Sequence, residues 1–156
     1  MIKYLIMDVD GTLTDGKIYM GPQKECLKVF NIKDGLGIHE LLPKAGIEPV
    51  IITGRISEIT KTRCDELGIK FLFQGINDKL TVINKLKKDF SGDFSQFAYI
   101  GDDLNDLCCM KFIKNNGGII ACPADAALQV KEISDFICSK TGGDGAVREF
   151  IEWIIK

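Results

Sequence analysis

Short apolar runs alternate with helix-like segments along the whole chain. The runs predict strands at residues 3–9, 49–52, 71–73, 97–100, 119–122 and 135–137. The segments between them predict helices at residues 36–42, 57–67, 79–90, 104–112, 124–133 and 145–155. Residues that favour helix ends stand at these boundaries, with Ser57 at a start and Gly68 at an end. The alternation predicts an α/β fold in which a mainly parallel sheet carries helices on both faces.

Residues 16–32 depart from this alternation. A short run (IYM), a Gly21-Pro22 turn and a second run (CLKVF) predict a β-hairpin that is too short to be a domain. The chain has no internal repeat, low-complexity tract or linker, and 156 residues suffice for one core. We therefore expect a single domain over residues 1–156, with the hairpin as a flap.

Composition and charge narrow the class of protein. A hydrophobic fraction of 46% and a charged fraction of 27% are ordinary for a globular domain. The formal net charge of −2 argues against a nucleic-acid partner, since proteins that bind the phosphate backbone usually carry a basic excess. No apolar run approaches the length of a membrane span. The first ten residues predict a strand that carries aspartates, unlike a signal peptide, so we expect a cytoplasmic protein.

The chain contains six cysteines and one histidine. It has no C-x-x-C pair, and His39 stands alone, so the spacing of a zinc site is absent. Without a secretory signal, we expect reduced and mostly buried thiols that pack as small apolar side chains. We assign no function to His39.

The most informative stretch is LIMDVDGTLTD, residues 5–15. Its apolar run delivers Asp8 and Asp10 into a turn marked by Gly11. Two close carboxylates at the end of a buried strand repel each other and resist the loss of solvent. A divalent cation offsets that cost, and Mg²⁺ prefers one or two carboxylates with phosphate oxygens and water. Taken alone, the pair could also be a solvated turn.

Three further polar groups follow in chain order. Thr53-Gly54-Arg55 follows the predicted strand 49–52, Lys79 opens a predicted helix, and GDDLND (residues 101–106) follows the strand 97–100. Open α/β folds place their ligands at such strand ends. A lysine in the first turn of a helix opposes the helix dipole, so Lys79 indicates an anionic neighbour. Some of the three aspartates could cap a helix, but their grouping beside a glycine turn favours a metal.

The ordered set DxDGT, TGR, lysine and GDDxxD resembles the four motifs of the haloacid dehalogenase (HAD) superfamily of phosphotransferases. The resemblance spans nearly the whole chain and implies a Rossmann-like HAD fold with Mg²⁺ as cofactor. It implies that Asp8 is the nucleophile and that Asp10 is the general acid and base. Asp8, Asp102 and the backbone carbonyl of Asp10 would bind the metal. The remaining implied roles are phosphoryl binding by Thr53 and Gly54, pairing of Lys79 with Asp8 and the phosphoryl group, and support of the metal site by Asp103 and Asp106.

Many HAD phosphatases carry a cap domain between the first two motifs or between the second and third. In this chain the first gap holds only the hairpin and one helix, and the second holds one helix and one strand, so we expect no cap domain. Phosphoryl transfer benefits from the exclusion of water. We expect a neighbouring subunit to cover the site through the hairpin, although an open site for large substrates is the alternative.

Further segments narrow the resemblance to the capless 3-deoxy-D-manno-octulosonate 8-phosphate phosphatase family, whose members are typically tetrameric. These segments include FNIKDGLG (residues 30–37), LGI after the TGR motif, and GGDGAVRE (residues 142–149). The resemblance implies a sugar-phosphate substrate, a homotetramer and no nucleic-acid or membrane partner. Cations that could bind the phosphate and carboxylate of such a substrate are Lys33, Arg55, Arg63 and Arg148, with Gly54 beside them.

Three alternatives remain open from the sequence. Close relatives dephosphorylate 2-keto-3-deoxynononate 9-phosphate or N-acetylneuraminate 9-phosphate, and some of these have a glutamate in place of Arg55. Response-regulator receivers combine similar residues, but their acceptor aspartate follows a middle strand, where this chain has Thr53. The third alternative is a non-catalytic, oligomerising HAD-like module, against which the four intact motifs argue.

Overall fold

The computed structural model describes residues 1–90 and 92–156 and contains a six-stranded parallel sheet and a separate hairpin. The sheet has the order β5-β4-β1-β6-β7-β8, and all five of its strand pairs are parallel. The strands are β1 (Tyr4–Met7), β2 (Tyr19–Met20), β3 (Glu25–Leu27), β4 (Glu48–Ile52), β5 (Phe71–Phe73), β6 (Phe97–Ile100), β7 (Ile119–Cys122) and β8 (Phe136–Ile137). The first strand of the chain therefore lies at the centre of the sheet, which confirms the predicted α/β architecture.

Helices cover both faces of the sheet, as predicted. They are α1 (Ile32–Leu36), α2 (Leu42–Lys44), α3 (Glu58–Leu67), α4 (Lys79–Phe90), α5 (Leu107–Asn115), α6 (Leu128–Ile133) and α7 (Ala146–Ile154). Successive residues of a strand point to opposite faces. Leu5 and Met7 accordingly pack against residues of α2, α3 and α7, whereas Ile6 packs against residues of α4, α5 and α6. No helix in the described ranges is long and apolar enough to cross a membrane.

The hairpin lies between β1 and α1, where the sequence predicts it. Strands β2 and β3 pair antiparallel, with Tyr19 opposite Leu27. Between β4 and α4 the chain forms only α3 and β5. Within residues 1–90 and 92–156 there is thus no cap domain, and the hairpin is the element nearest to one.

Two elements in the first 44 residues, β1 and the helix that begins with α1, differ from their predicted bounds. β1 ends at Met7, not at residue 9, because the backbone turns: the amides of Thr12, Leu13 and Thr14 all donate to the Val9 carbonyl oxygen. The helix predicted at 36–42 begins at Ile32 and runs to Lys44 through a π-helical stretch, Gly37–Leu41. Its early start has a local cause, since the Asn31 side chain accepts a hydrogen bond from the Lys33 amide at 2.7 Å.

Two helices after the fourth motif begin later than predicted. α5 begins at Leu107 and not at Leu104, because residues 102–106 form a turn around the Asp106 carboxylate. α6 begins at Leu128 and not at Ala124, since the preceding residues form a turn in which the Ala126 amide donates to the Pro123 carbonyl. In both cases, a turn after the strand delays the start of the helix.

Candidate active site

The carboxyl ends of β1, β4 and β6 meet at one edge of the sheet. The Asp8 amide donates to the Ile100 carbonyl at 3.1 Å, which continues the β1–β6 pairing one residue past the strand. Side chains after the three strands surround a cleft of about 320 Å³. Its lining residues are Asp8, Asp10, Thr53, Gly54, Arg55, Asp102, Asp103, Leu104 and Asn105. The fold thus brings three of the four sequence motifs to one cleft.

Lys79 brings the remaining motif to the same place. Its ammonium Nζ is 2.8 Å from Asp8 Oδ1 and 2.7 Å from Asp106 Oδ1, and all three side chains are buried. Burial lowers the pKa of Lys79, but the two carboxylates outweigh that effect and raise it above its ordinary value. Lys79 is therefore a permanent cation, and the anionic neighbour inferred from its place in the helix is present.

Asp106 is fully engaged by protein groups. Its Oδ1 accepts hydrogen bonds from Lys79 and from the hydroxyl of Tyr99 at 2.6 Å. Its Oδ2 accepts from the amides of Asp102 at 3.1 Å and Asp103 at 3.4 Å. Asp106 therefore holds the backbone of the fourth motif in place. Asp103 itself is exposed, and its side chain accepts from the Leu104 amide at 2.7 Å.

Asp8 and Asp102 carry more negative charge than the protein neutralises. Burial, with the nearby Asp106 carboxylate, raises the pKa of Asp8 to about 6. Burial, followed by the charges of Asp8 and Asp106, raises the pKa of Asp102 to about 7. One neutral partner orients Asp102, since the buried Thr12 hydroxyl donates to its Oδ1 at 2.9 Å. The sequence motifs alone do not indicate this role for Thr12.

The arrangement fits a divalent cation. Asp8, Asp102 and Asp106 each place a carboxylate oxygen within 4.8 Å of the others. Because both oxygens of Asp106 are occupied, Asp8 and Asp102 are the side chains that would bind the ion. Two incompletely neutralised carboxylates beside an open cleft suit Mg²⁺, which retains water and phosphate oxygens as further ligands.

Glycines at two points let the backbone approach the cleft closely. Gly11 has φ +92°, and a Cβ there would lie 2.0 Å from Asp102 Oδ2. A Cβ at Gly142 would lie 1.9 Å from the Gly11 carbonyl oxygen. The neighbouring Gly143 amide donates to the Thr12 carbonyl at 3.1 Å. The loop before α7 thus supports the turn that carries the first motif.

Thr53 and Gly54 stand where the resemblance implies a phosphoryl group. Thr53 is buried, and its amide donates to the Phe73 carbonyl at 2.9 Å, so the β4–β5 pairing fixes its backbone. At Gly54 the nearest atom to a built Cβ is the Ile76 carbonyl oxygen at 3.7 Å, so the protein leaves space there. A ligand could approach this backbone closely.

The hairpin contributes two charged side chains, Glu25 and Lys28, that belong to none of the sequence motifs. Lys28, just after β3, is buried and forms ion pairs with Asp10 and, at 3.0 Å, with Glu25. Arg55 lies 3.5 Å from Glu25 and 4.0 Å from Asp10. Burial raises the pKa of Glu25, but the opposing contacts with Lys28, Ser57 and Arg55 lower it on balance. A lysine inside the apolar run CLKVF was the available signal, and motif order alone did not reveal it.

Three predicted substrate-binding residues lie away from the cleft within one chain. Arg63 pairs with Glu66 at 2.7 Å and lies over the ring of Phe30. Arg148 pairs with Glu152 at 2.7 Å and, with Lys33, lines a separate surface cleft of about 590 Å³. None of the three contacts the acidic cluster within the described ranges. A direct role in substrate binding stays a prediction that requires a second chain.

Comparison with known proteins identifies the family. No family model matches the chain. The 3-deoxy-D-manno-octulosonate 8-phosphate phosphatase KdsC of Escherichia coli K12 is 40% identical over 154 residues, which are 99% of this chain and 79% of that protein. This chain belongs to the KdsC family. The HAD and KdsC-like resemblance of the motifs is thereby confirmed, and the receiver alternative is excluded.

Solved KdsC-family structures have the same fold. A Moraxella catarrhalis 3-deoxy-D-manno-octulosonate 8-phosphate phosphatase in complex with magnesium, phosphate and KDO is 42% identical, with a TM-score of 0.91. The match covers 99% of this chain and 86% of that one. A cobalt-bound Haemophilus influenzae relative is 40% identical, also with a TM-score of 0.91, and the match covers 99% and 87%. Metal binding in these relatives agrees with the charge of the acidic cluster described here.

Proposed function

We propose that this protein is a Mg²⁺-dependent phosphatase that hydrolyses 3-deoxy-D-manno-octulosonate 8-phosphate through an aspartyl-phosphate on Asp8. The observation that carries the proposal is the joint placement of Asp8, Asp10, Lys79 and Asp102 around one cleft in a chain of the KdsC family. The acidic cluster suits a divalent cation and a phosphoryl group better than a neutral ligand, because among the described residues Lys79 is the only cation paired with its three carboxylates, and it does not pair with Asp102.

We assign the two chemical roles to two aspartates, Asp8 and Asp10. Lys79 holds Oδ1 of Asp8, which leaves Oδ2 to attack phosphorus. The ester P–O bond breaks, and Asp10 gives its proton to the departing alcohol oxygen. In the second step Asp10 takes a proton from water as the water oxygen bonds to phosphorus, and Asp8 is released with inorganic phosphate. Mg²⁺ bound by Asp8 and Asp102 supplies positive charge at the phosphoryl oxygens.

The residues at the rim of the cleft favour an acidic sugar. Arg55 is 43% exposed and lies on the side of the cleft next to Asp10, where the leaving group departs. A guanidinium there suits the carboxylate of a keto-deoxy sugar acid. The carboxylate is common to the octulosonate, nononate and N-acetylneuraminate esters, so the preference for the octulosonate ester rests on the glutamate that some relatives acting on nine-carbon esters have in place of Arg55.

The test is phosphate release from octulosonate 8-phosphate, 2-keto-3-deoxynononate 9-phosphate and N-acetylneuraminate 9-phosphate, each with and without Mg²⁺. We expect metal-dependent turnover with the octulosonate ester at the highest kcat/KM. A higher kcat/KM for a nine-carbon ester would reassign the substrate. An absence of turnover for all three with saturating Mg²⁺ would favour the non-catalytic, oligomerising module.

We infer in addition a homotetramer that forms through the hairpin. The hairpin exposes apolar side chains to solvent, namely those of Ile18, Met20, Leu27 and Val29. Exposed apolar groups concentrated on one element favour a protein interface. A neighbouring chain at this position would cover the cleft, and its Arg148 could then reach the substrate.

The location and domain proposals rest on simpler features. We propose that the protein acts in the cytoplasm as a single domain over residues 1–156. All six cysteines are free thiols, and four of them are buried, which suits a reducing compartment. One continuous sheet with a helical layer on each face supports the single domain.

A further inference from the structure

The hairpin places a buried cation against Asp10. Lys28 has a side chain only 1% exposed, although it lies one residue beyond β3 on an element that is otherwise largely exposed. Burial of an ammonium group is expensive unless carboxylates surround it. Asp10 and Glu25 supply two. Packing alone does not explain this lysine, because an apolar side chain could fill the same space without that cost.

Lys28 is also what holds Asp10. Among the described residues, it is the only hydrogen-bond partner of the Asp10 carboxylate. The nearest other cation, Arg55, is 4.0 Å away and 43% exposed. A short carboxylate with no second partner would otherwise sample several rotamers. The site therefore contains two buried lysines, Lys79 on Asp8 and Lys28 on Asp10.

The lysine is itself fixed from the body of the domain. Glu25, its second partner, accepts a hydrogen bond from the Ser57 hydroxyl at 3.1 Å. Ser57 caps the start of α3, where its hydroxyl accepts from the Thr60 amide at 3.5 Å. This chain of contacts runs from α3 through the hairpin to Asp10. The position of the Asp10 carboxylate therefore depends on the position of the hairpin relative to α3.

We propose that Lys28 is a positioning residue for Asp10, through which the hairpin aims the general acid and base at the leaving group. The proposal rests on the proposed phosphatase function and deepens it. In a capless enzyme, the hairpin then does more than shield the cleft: it completes the catalytic geometry. Positioning of an acid or base group contributes about 10²–10⁴-fold to a rate, so the loss of Lys28 should be felt mainly in kcat.

The experiment compares Lys28→Met with Lys24→Met, a change of an exposed lysine on the same hairpin. Two aryl esters are the probes: phenyl phosphate, whose leaving group needs a proton, and p-nitrophenyl phosphate, whose phenolate leaves unaided. The release of phenol or p-nitrophenol is measured in the first turnover, so that the rate reports only the transfer of the phosphoryl group to Asp8. We expect Lys28→Met to lower the rate of phenyl phosphate hydrolysis by about 100-fold and that of p-nitrophenyl phosphate by less than about tenfold. The KM should change by less than about threefold. Lys24→Met should match the wild type.

A double variant separates positioning from charge balance. If Lys28 served only to neutralise Glu25, Lys28→Met with Glu25→Gln would restore the rate on phenyl phosphate, and the proposal would be overturned. Equal losses on both esters would overturn it as well. Melting temperatures identify any variant that fails to fold, and the double variant carries the comparison if Lys28→Met does not fold. A wild type that hydrolyses the aryl esters but not the octulosonate ester would overturn the proposed substrate alone.

Discussion

At the scale of single residues, the negative charges concentrated in the site destabilise the folded protein. Asp8, Asp102 and Asp106 lie close together, and the buried cation Lys79 pairs with Asp8 and Asp106 but not with Asp102. Like charges at this distance repel, and burial removes the water that would screen them. The metal-free protein therefore carries a local instability that a bound divalent cation relieves. This trade-off is common where residues are arranged for function.

Removal of one charge should stabilise the metal-free protein. We expect Asp102→Asn to raise its free energy of unfolding by about 1–3 kcal/mol, because the neutral amide ends the repulsion and still accepts from Thr12. The same variant should lose the stabilisation that Mg²⁺ gives the wild type, together with turnover. Chemical denaturation with and without Mg²⁺ measures both. A variant that is less stable than the wild type without metal would contradict the charge argument.

The same repulsion predicts a pH dependence. The pKa values of Asp8, about 6, and Asp102, about 7, lie above the ordinary value of 3.8. The native state therefore holds protons that the unfolded state has lost. The contribution of these two carboxyl groups to the free energy of unfolding is fully present below about pH 4 and is lost as the pH rises through 6 to 7. The melting temperature of the metal-free protein should fall between about pH 5 and pH 8, and Asp102→Asn should reduce that slope. A rising melting temperature over this interval would contradict the prediction.

The nucleophile has a direct test. Asp8→Asn removes the attacking carboxylate but keeps its shape, and Lys79 retains Asp106 as a partner. We expect turnover to fall by at least about 10³-fold, with folding and assembly unchanged. Phosphate release, circular dichroism and sedimentation provide the measurements. Retained hydrolysis would falsify the assignment of Asp8.

At the scale of elements, the motif loops depend on how closely backbones approach. Gly11 and Gly46 both have positive φ, at +92° and +70°, but no atom lies within 4 Å of a Cβ built at Gly46. The pair separates the cost of conformation from the cost of crowding. Gly46→Ala should cost about 1 kcal/mol of stability, which is the conformational penalty alone. Gly11→Ala should cost roughly 2 kcal/mol more and reduce turnover at least about tenfold, since its Cβ would displace Asp102.

Urea denaturation of both alanine variants measures the difference, and phosphate release measures the activity. Gly46→Ala serves as the control, because its position is remote from the cleft-lining residues. Equal losses of stability and full activity in both variants would show that the turn tolerates a side chain. The close approach of Gly11 to Asp102 would then be unimportant for the site.

The same scale shows what a sequence can predict. Apolar runs identified the core strands, because burial on both faces of a parallel sheet demands such runs. The order of the motifs predicted that Asp8, Thr53, Lys79 and Asp102 lie at one edge of the sheet, since the carboxyl ends of parallel strands meet there. Boundaries set by tertiary contacts were missed. The π-helical stretch begins at Gly37, where a Cβ would lie 3.0 Å from Ile151 of α7, a contact that no local pattern encodes.

Residues outside the motifs were missed for a related reason. Lys28 interrupts the apolar run CLKVF, but its neighbours Leu27 and Val29 are exposed, so the run alone does not show that the ammonium is buried. Thr12 belongs to the first motif, but its partner Asp102 is 90 residues away. Conversely, Lys33, Arg63 and Arg148 were selected for their charge, and charge alone does not place a side chain. Long-range geometry decides each of these cases.

At the scale of the whole molecule, the cleft and the apolar side chains of the hairpin are both exposed to solvent in a single chain. A cleft that handles a phosphoryl group benefits from the exclusion of water, yet this chain has no cap domain within the described ranges. The hairpin exposes Ile18 and Met20 at 50% and 63%, and its other end holds Asp10 through Lys28. Assembly through the hairpin would solve both difficulties, since it would bury the apolar side chains and steady the contact with Asp10.

We therefore expect the loss of assembly to be accompanied by the loss of activity. Met20→Asp places a charge within the proposed interface and should weaken it by about 2 kcal/mol, or roughly thirtyfold in dissociation constant. Leu128→Asp is the matched control, because Leu128 is 68% exposed but lies on α6. Sedimentation velocity across a dilution series gives the subunit count, and phosphate release is measured at the same concentrations. We expect activity to fall as the Met20→Asp oligomer dissociates, while Leu128→Asp follows the wild type. A fully active Met20→Asp monomer would instead support an open site that admits large substrates, with a hairpin that acts within its own chain.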